Sequence, residues 1–499
     1  MKRILIASAN PWSFSMAVER HIARSHSEAQ VDLLDLFVLT AAPSPHWRRR
    51  DVLTERLNRK VARFVRPLVN GREITGDIRL MSGAIPHLPD DLRQLRGYRT
   101  GSARTGLAVL SSVTSLTTVQ EPGSRSEYGG ALPRAWLSAH LAAQTGEAVR
   151  RFGYDEIYTF NGRACYSRPF CDLLDQDSRV FRYEQGGSGN TFVMADRSIH
   201  CPKVTAELVR ASQFDAATGE AFYRDRLRKA AVDPVNFYTS GQVDGLLPEN
   251  VAAGDFLAFF TSSSDEFAAV SDDVNFGEFA NQFEAAMAMA EVARTAGRRL
   301  VLRLHPHLRY KHPSWVREWD FERLRQLGTM VVRPEDPYDS YALAAAAHCV
   351  FTCGSTVGLE CSFRGIPNAD VGRWVGSYIG AMYAVTNPWE IAQFVARPIL
   401  PPTAREGALR YGSYTRLAGT SLPELDVGSH PYYARIDGRI VDPVRCALQR
   451  ARDAVRRSSV RETGGMVGGK IVMDPTIEAR LRAIADGGAS AQTHREAAG

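Results

Sequence analysis

Short apolar segments that alternate with helical patterns constrain the fold of this chain more than any other feature. The following segments have the length and apolar character of buried β-strands: Arg3–Ser8, Val31–Phe37, Glu156–Phe160, Arg179–Tyr183, Phe256–Thr261, Arg299–Leu304, Thr329–Arg333 and His348–Thr352. Apolar residues at helical spacing lie between several of them, for example over Phe276–Ala296 and Tyr338–Ala347. Strands that alternate with helices form parallel sheets with helices on both faces. The sequence therefore predicts an α/β protein.

The strands fall into two blocks, and we expect two Rossmann-like domains whose parallel sheets face a central cleft. Glycine, proline and polar residues cluster over residues 240–255 and mark the break between the blocks. We therefore place the first domain at residues 1–245, with a loop-rich insertion over 75–135, and the second domain at residues 255–430. After it we expect a helix over 431–462 and a mobile tail over 463–499.

The charge of the chain is concentrated in two places. The net charge is +6, but residues 41–70 alone carry eight basic and two acidic residues, and residues 445–461 carry six Arg and one Asp. The rest of the chain is net acidic, and aromatic residues are nearly absent from both basic segments. This pattern argues against a nucleic-acid partner.

The first basic segment has the pattern of an amphipathic helix. Apolar residues recur at helical spacing from Val52 to Leu68, with arginines around them. Two interpretations stay open: the helix lies on an anionic membrane, or it packs in the first domain with a solvated arginine face. The first interpretation implies peripheral contact with the inner face of the cytoplasmic membrane.

Cysteine usage and the N-terminal sequence favour a cytoplasmic protein. The seven cysteines are scattered and form no CxxC pair, so reduced thiols are expected rather than a zinc site. The N-terminal apolar stretch ends at Asn10 and Pro11, which is too early for a signal peptide. No window approaches the roughly 18 uninterrupted apolar residues of a membrane span.

A strand that runs directly into His305-Pro306-His307 gives the clearest indication of a binding site. Ligands bind at the carboxyl ends of strands in an open α/β sheet, and a histidine at that edge can donate to an anion. Arg303 lies near the end of the same strand. The alternative interpretation is that His305 only caps the strand by bonding to the backbone.

A second strand end strengthens this indication. The strand His348–Thr352 opens into Gly354-Ser355-Thr356, whose small residues, hydroxyls and following helix suit a phosphate. Glu360 lies about one turn inside that helix, placed to accept from ribose hydroxyls. Glu335, in the loop after a third strand, is a candidate contact for a nucleobase. An ordinary capped turn is the alternative for each of these two loops.

The first half offers candidates for chemistry on a second substrate. Asn161 and Arg163 follow one strand and Glu184 ends the next, so their loops are expected at one edge of the sheet, facing the second domain. Arg163 is a candidate for binding an anion, and Glu184 is the leading candidate for acid–base or nucleophilic work. Asp265 and Glu266 are the second-choice carboxylates for the same acid–base or nucleophilic role. The alternative is a structural ion pair between Arg163 and Glu184.

Taken together, three segments resemble the nucleotide-binding half of GT-B glycosyltransferases. They are Phe259-Phe260-Thr261-Ser262-Ser263-Ser264-Asp265-Glu266-Phe267, Arg303-Leu304-His305-Pro306-His307 and Gly354-Ser355-Thr356…Glu360…Gly365-Ile366-Pro367. The resemblance is to the bacterial capsule-polysaccharide synthesis group, which includes Kdo transferases and is distantly similar to bacterial sialyltransferases. It covers residues 255–372 well and Asn161–Gly187 weakly. It implies that His305, Ser355 and Thr356 hold a donor's phosphate and that Glu360 holds its ribose. It also implies that the helix over 431–462 packs back on the first domain.

The function that follows is a glycosyltransferase that moves a sugar from a nucleotide-sugar donor to a glycan acceptor in bacterial surface polysaccharide synthesis. A CMP-sugar is the favoured donor, and no cofactor is expected. A metal-independent reaction is expected, because the DxD sequence Asp175–Asp177 precedes a strand instead of following one. Two alternatives stay open: a nucleotide-sugar epimerase of the same fold, and a non-catalytic module that binds glycan or membrane.

Overall fold

The structure is a computed structural model. It describes residues 1–10, 12–61, 70–80, 85–228, 241–267, 269–270, 274–427, 433–451, 466–467 and 470–471. The strands, in chain order, are β1 Arg3–Ala7, β2 Gln30–Leu34, β3 Glu156–Phe160, β4 Arg179–Gln185, β5 Thr191–Ala195, β6 Phe256–Phe260, β7 Arg299–Arg303, β8 Met330–Val332, β9 Cys349–Thr352, β10 Asn368–Val371, β11 Tyr383–Val385, β12 Thr420–Ser421, β13 Leu425–Asp426, β14 Arg435–Ile436, β15 Arg439–Ile440, β16 Met466–Val467 and β17 Lys470–Ile471.

Helices connect and cover these strands. The α-helices are α1 Ser13–Ser25, α2 Arg49–Val61, α3 Thr105–Thr117, α4 Arg125–Tyr128, α5 Ala131–Arg150, α6 Arg168–Leu174, α7 Pro202–Ala211, α8 Ala216–Leu227, α9 Ser264–Phe267, α10 Gln282–Thr295, α11 Phe321–Gln326, α12 Ser340–Ala346, α13 Thr356–Arg364, α14 Val375–Tyr378, α15 Pro388–Ala396 and α16 Ala404–Leu417. Short 3₁₀ helices lie at Thr75–Asp77, Leu92–Gly97, Pro306–Tyr310 and Pro313–Glu318, and a π-helical turn lies at Phe37–Ala41.

Two six-stranded sheets organise the chain. The first has the strand order β12-β5-β4-β3-β1-β2, and the second has the order β11-β10-β9-β6-β7-β8. Every neighbouring pair in the second sheet is parallel. Counted from its own first strand, the second sheet has the order 3-2-1-4-5-6 of a doubly wound Rossmann fold, and the order reverses between β6 and β9. In the first sheet the order reverses between β1 and β3.

The predicted fold class is confirmed, with a correction to the first sheet. The eight strands read from the sequence are all present, close to their predicted bounds. However, β5 pairs antiparallel with β4, and β12 pairs antiparallel with β5, so the first sheet is mixed. Only residues 186–190 join β4 to β5, too few for the crossover that a parallel pair needs, and β12 is an exposed edge strand of two residues.

The prediction of loops over residues 75–135 is wrong where α3 lies. Ten residues of this helix are buried, many of them Ser, Thr, Gly or Ala. Ser and Thr favour caps and turns because their hydroxyls compete for backbone groups, so the pattern suggested a loop. Here Thr117 Oγ1 instead donates to the carbonyl of Val113, 2.7 Å away and one turn back in the same helix.

The chain returns to the first domain earlier than the sequence indicates. Strand β12, at Thr420–Ser421, joins the first sheet although it lies before residue 430. The Gly187 amide donates to the carbonyl of Ala418 at 2.7 Å. A Cβ at Gly187 would lie 2.4 Å from the carbonyl carbon of Arg416, so the glycine-rich loop after β4 admits this crossing chain. No change in composition marks the return.

The two basic segments meet on the first domain. Residues 443–451 are helical, and Arg445 Nη1 lies 3.3 Å from the Glu55 carboxylate of α2, which is fully buried. Leu53 and Leu57, on the same helix, are 61% and 48% exposed, so this apolar stripe is not in the core. Residues 62–68 and 452–462, predicted to continue these helices, lie outside the described residues. Among the described helices, none is long and apolar enough to cross a bilayer.

Candidate active site

A cavity of about 280 Å³ opens at the carboxyl edge of the second sheet, where the strand order reverses between β6 and β9. This is the place at which doubly wound sheets bind their ligands. Its lining comes from the ends of β6, β7 and β9, from the start of α13, and from two segments of the other half of the chain. The lining residues are Arg226, Gln242, Phe260, Thr261, Ser262, Glu266, Arg303, His305, Pro306, Ser340, Tyr341, Gly354, Ser355, Thr356, Val357 and Glu360.

His305 lines this cavity as a neutral imidazole. Its amide donates to Thr261 Oγ1 at 3.0 Å, and its Nδ1 accepts from the amide of His307 at 3.3 Å. Burial, with smaller contributions from His307, Lys311 and Arg303, lowers the pKa of His305 to about 4. The ring is therefore neutral near pH 7, and because Nδ1 accepts, Nε2 carries the proton. His305 caps the turn after β7 and still presents a donor on the cavity wall.

Two side chains of the cavity wall have donors without a partner. Arg303 is 1% exposed, and its Nη2 donates to the carbonyl of Asp336 at 3.4 Å. Burial lowers the pKa of its guanidinium to about 10. Arg303 Nε and Gln242 Nε2 are both buried, and neither has a hydrogen-bond acceptor among the residues that the structure describes. Unpaired buried donors are costly, so this wall suits a ligand rich in acceptor oxygens.

The turn between β9 and α13 is held rigidly against the cavity. Gly354 has φ +70°, and a Cβ there would lie 2.5 Å from the Trp374 ring. Buried Asp370 accepts from Thr352 Oγ1 at 2.8 Å and from the Gly354 amide at 3.3 Å, and burial raises its pKa to about 7. Ser355 caps α13 by accepting from the amide of Val357 at 3.4 Å. The first amides of a nine-residue helix are thereby fixed at the cavity.

An arginine from the first half of the chain contacts the start of α13 at the cavity. Arg226 of α8 donates through Nε to Glu360 at 2.7 Å and through Nη2 to Thr356 Oγ1 at 2.9 Å. The side chains of Arg226 and Glu360 are 8% and 2% exposed. Glu360 lines the cavity as predicted, but one carboxylate oxygen is engaged by Arg226, and its contact with ribose stays a prediction. The sequence gives no signal for Arg226, since α8 is remote from every motif.

Acidic residues of α9 border the same cavity. Asp265 forms an ion pair with Lys311 at 2.6 Å and accepts a hydrogen bond from Ser263. Glu266 lines the cavity, 3.9 Å from Lys311 and 3.8 Å from His307 Nδ1. Burial raises the pKa of Glu266. His307 therefore contacts the border of the cavity rather than its lining, whereas Glu335 is exposed and does not line it.

On the first domain, Asn161 connects the predicted residues with one another. It has φ +64° and its Oδ1 accepts from the Arg163 amide at 2.8 Å, which fixes the orientation of its side chain. Its Nδ2 then donates to Glu184 and to His200 Nε2, the latter at 2.9 Å. His200 Nε2 also lies 3.3 Å from Glu184 Oε1. The sequence did not single out His200, which reaches the end of β4 from the segment that precedes α7.

Arg163 links the two domains electrostatically. Its Nε donates to Ser111 Oγ at 2.8 Å, and it makes no direct ion pair with Glu184 among the described contacts. Burial lowers the pKa of its guanidinium against the opposing charges of Asp265, Glu184 and Glu266. The structure therefore brings the first-domain residues to the side of the cleft that faces the acidic border of the cavity.

Direct contacts hold the two sides of the cleft together. The His312 amide donates to Thr118 Oγ1 at 2.9 Å, and the Gln120 amide donates to Ser314 Oγ at 2.8 Å. Glu127 pairs with Arg317, and this partner lowers the pKa of the Glu127 carboxyl to about 2. The two Rossmann-like domains and the cleft between them constitute the GT-B fold.

Comparison with solved structures finds proteins of this class. KpsC of Thermosulfurimonas dismutans, a β-Kdo 2,4 transferase, is 11% identical with a TM-score of 0.34, over 52% of this chain and 79% of that one. Trehalose 6-phosphate synthase of Burkholderia multivorans is 10% identical with a TM-score of 0.31, and the match covers 94% of this chain and 100% of that chain. UDP-GlcNAc 2-epimerase of Methanocaldococcus jannaschii is 9% identical with a TM-score of 0.26, and the match covers 82% of this chain and 98% of that chain. No protein-family profile and no curated protein matches the sequence.

Proposed function

We propose that this protein is a glycosyltransferase that uses a nucleotide-sugar donor, and that the cavity between β6 and β9 holds the donor's nucleotide. The observation that carries the proposal is the convergence of donors on one cavity: Arg303 Nε, Gln242 Nε2, the protonated Nε2 of His305 and the first amides of α13. Phosphate oxygens provide acceptors for Arg303 Nε and Gln242 Nε2, which lack a partner among the described residues, and they suit the N–H of His305 and the positive end of α13. A volume of about 280 Å³ lies near the lower end of small-molecule pockets.

The same donors assist departure of the nucleotide. Negative charge develops on the leaving phosphate as the glycosidic bond breaks, and fixed donors stabilise that charge without reorganisation. His305 contributes an uncharged N–H, Arg303 contributes positive charge, and α13 contributes the positive end of its dipole. The proposed reaction does not use a metal ion.

Glu184 is the proposed base that accepts a proton from the acceptor hydroxyl. Asn161 holds its carboxylate, and its side chain is 19% exposed, so it is accessible from the cleft. Asp265 is less suited to this role, since it is already engaged by Lys311 and Ser263. Glu266, on the cavity wall, is placed nearer the donor. A carboxylate beside the reacting hydroxyl is what an oxocarbenium-like transfer requires.

The proposed acceptor is a glycan or lipid-linked glycan of a bacterial surface polysaccharide, and the proposed donor is a CMP-sugar. The support for both is the likeness of the His305-Pro306 and Gly354-Ser355-Thr356 segments to the capsule-polysaccharide synthesis group. The proposed location is the cytoplasm, at the inner face of the cytoplasmic membrane.

Product analysis tests the proposed reaction. Purified protein is incubated with CMP-, UDP- and GDP-sugars, with and without a library of bacterial glycan fragments, and the products are analysed by mass spectrometry. Nucleotide release that depends on a glycan, and that is lost in Glu184→Gln but kept in Glu207→Gln, is the expected result. Glu207 is a matched control because it is a carboxylate of α7 in an ion pair with Arg197. An altered sugar nucleotide formed without glycan would instead indicate an epimerase.

A further inference from the structure

Trp12 presents a large apolar surface beside the proposed acceptor chemistry. It lies after β1 at the carboxyl edge of the first sheet, and it is 52% exposed. Its ring centroid is 5.4 Å from that of Phe160, which ends β3 and directly precedes Asn161. Phe14, on the next turn, lies 6.4 Å from Tyr183, which directly precedes Glu184. Trp12 therefore lies at the strand ends that carry Asn161 and Glu184.

Three buried donors in this part of the first domain have no partner among the described residues. They are Asn10 Nδ2, Trp47 Nε1 and Arg163 Nη2, and none has an acceptor within the described part of the chain. Asn10 is two residues from Trp12, and its Oδ1 accepts from the Trp12 amide at 3.3 Å. The Trp47 ring lies 6.5 Å from the Trp12 ring. Buried side chains normally find partners, so three such donors in one region indicate a ligand that supplies acceptors.

Arg163 belongs to this region through the segment that carries Trp47. His46 precedes Trp47, and burial followed by the charges of Arg163 and Arg134 lowers the pKa of His46 to about 4. A neutral His46 adds no charge to the region. Its Nε2 lies 3.2 Å from Ser112 Oγ, and Arg163 binds the neighbouring Ser111. The aromatic surface and the three donors thus form one neighbourhood at the edge of the first sheet.

We propose that Trp12, Asn10, Trp47 and Arg163 form a subsite for one sugar ring of the acceptor. The apolar face of a pyranose stacks on the exposed Trp12 ring, and its hydroxyl oxygens accept from the three donors. This inference rests on the proposed function and specifies its substrate class. It places the acceptor ring beside Glu184, the proposed base. Trp12 acts here as a specificity-determining residue.

Saturation-transfer NMR with methyl glycosides of glucose, galactose, N-acetylglucosamine and Kdo tests this subsite. Trp12→Ala is compared with wild type, with Trp12→Phe, which keeps an aromatic face, and with Trp389→Ala. Trp389 is the matched control because it is 69% exposed and lies on α15 of the other domain. Loss of one stacking ring is expected to weaken glycoside binding by about tenfold in Trp12→Ala and less in Trp12→Phe, with Trp389→Ala unchanged.

Several outcomes overturn the proposal. No glycoside binding to wild type, unchanged binding in Trp12→Ala, or an equal loss in Trp389→Ala would each do so. Stacking of free nucleosides on Trp12 in preference to glycosides would also overturn it. Nucleotide binding measured on the same samples separates this proposal from the donor-site assignment: glycosides that bind in a Trp12-dependent way while CMP, UDP and GDP do not bind would support the subsite and reject the donor cavity.

Discussion

The guanidinium of Arg226 and the carboxylate of Glu360 meet at 2.7 Å across the boundary between the two halves of the chain, almost completely buried. The same arginine holds Thr356 at the first turn of α13. A buried pair of this kind contributes little net stability, but loss of one partner leaves a charge without compensation. Arg226 therefore ties α8 to the helix that forms one wall of the proposed donor cavity.

Substitution Arg226→Met is expected to lower the free energy of unfolding by about 3–5 kcal/mol, because Glu360 is left buried without its partner. Arg224→Met is the matched control on the same helix. Its exposed ion pair with Glu220, 2.8 Å long, is expected to contribute about 0.3–0.5 kcal/mol. Thermal and denaturant unfolding measure both variants. Equal effects of the two substitutions would contradict a buried pair at this boundary.

Substitution Gly354→Ala is expected to abolish nucleotide binding, because a Cβ there would lie 2.5 Å from the Trp374 ring and would displace the turn. Gly365→Ala is the control, since Gly365 ends α13 with φ +77° and a Cβ there would meet nothing within 4 Å. Both variants carry the strain of a left-handed residue, about 1–2 kcal/mol, but only the first disturbs the cavity. Calorimetric titration with nucleotides compares them, and comparable affinity of both variants would refute the assigned role of the turn.

The pH dependence of donor binding should reflect a neutral His305. With a pKa near 4, the imidazole stays uncharged from about pH 6 to pH 8, whereas an ordinary imidazole would gain a proton over that range. The sign follows from the depressed pKa: positive charge on His305, which would favour an anion, appears only as the pH falls toward 4. The contribution of His305 to nucleotide-sugar affinity, measured as the ratio of the affinities of wild type and His305→Ala, is therefore expected to be flat between about pH 6 and pH 8. If lowering the pH to 6 raised the affinity of wild type but not of His305→Ala, the result would contradict a lowered pKa for His305.

The exposed leucines of α2 test the proposed membrane contact. Leu53 and Leu57 are one helical turn apart and open to solvent on an arginine-rich segment. Leu53→Ser combined with Leu57→Ser is expected to reduce binding to phosphatidylglycerol vesicles about tenfold, because apolar area and basic charge act together at an anionic surface. Ile399→Ser, at a residue 46% exposed on the other domain, should have no effect. Sedimentation with vesicles measures the difference, and equal binding of all proteins would leave α2 as a solvated helix.

The sequence predicted what depends on neighbouring residues and missed what depends on contacts across the chain. The segments at His305 and at Gly354-Ser355-Thr356 carry their functional groups in a few consecutive residues. The sequence could therefore predict which strand ends border the cavity. Arg226, Gln242 and His200 reach their partners from distant segments, and no local pattern marks such an approach. Helix α3 was missed because six of its ten buried residues are small or hydroxylated.

The roles assigned to individual residues show the same division. The sequence placed Glu360 on the wall of the cavity, but only the structure shows that Arg226 engages it. It also placed Asn161, Arg163 and Glu184 at one edge of the first sheet. The alternative of an Arg163–Glu184 ion pair is not what the structure contains: Asn161 bonds to Glu184, while Arg163 bonds to Ser111.

Nucleotide titration of His305→Ala against His312→Ala tests the donor site most directly. The two histidines each precede a proline and each cap a 3₁₀ helix by accepting from an amide, at 3.3 Å for His305 and 3.2 Å for His312, but only His305 lines the cavity. Calorimetry with CMP, UDP and GDP is expected to show one nucleotide bound by wild type and by His312→Ala, and bound about tenfold more weakly by His305→Ala. Equal affinity in the two variants, or no nucleotide bound by wild type, would contradict the assignment of this cavity to the donor.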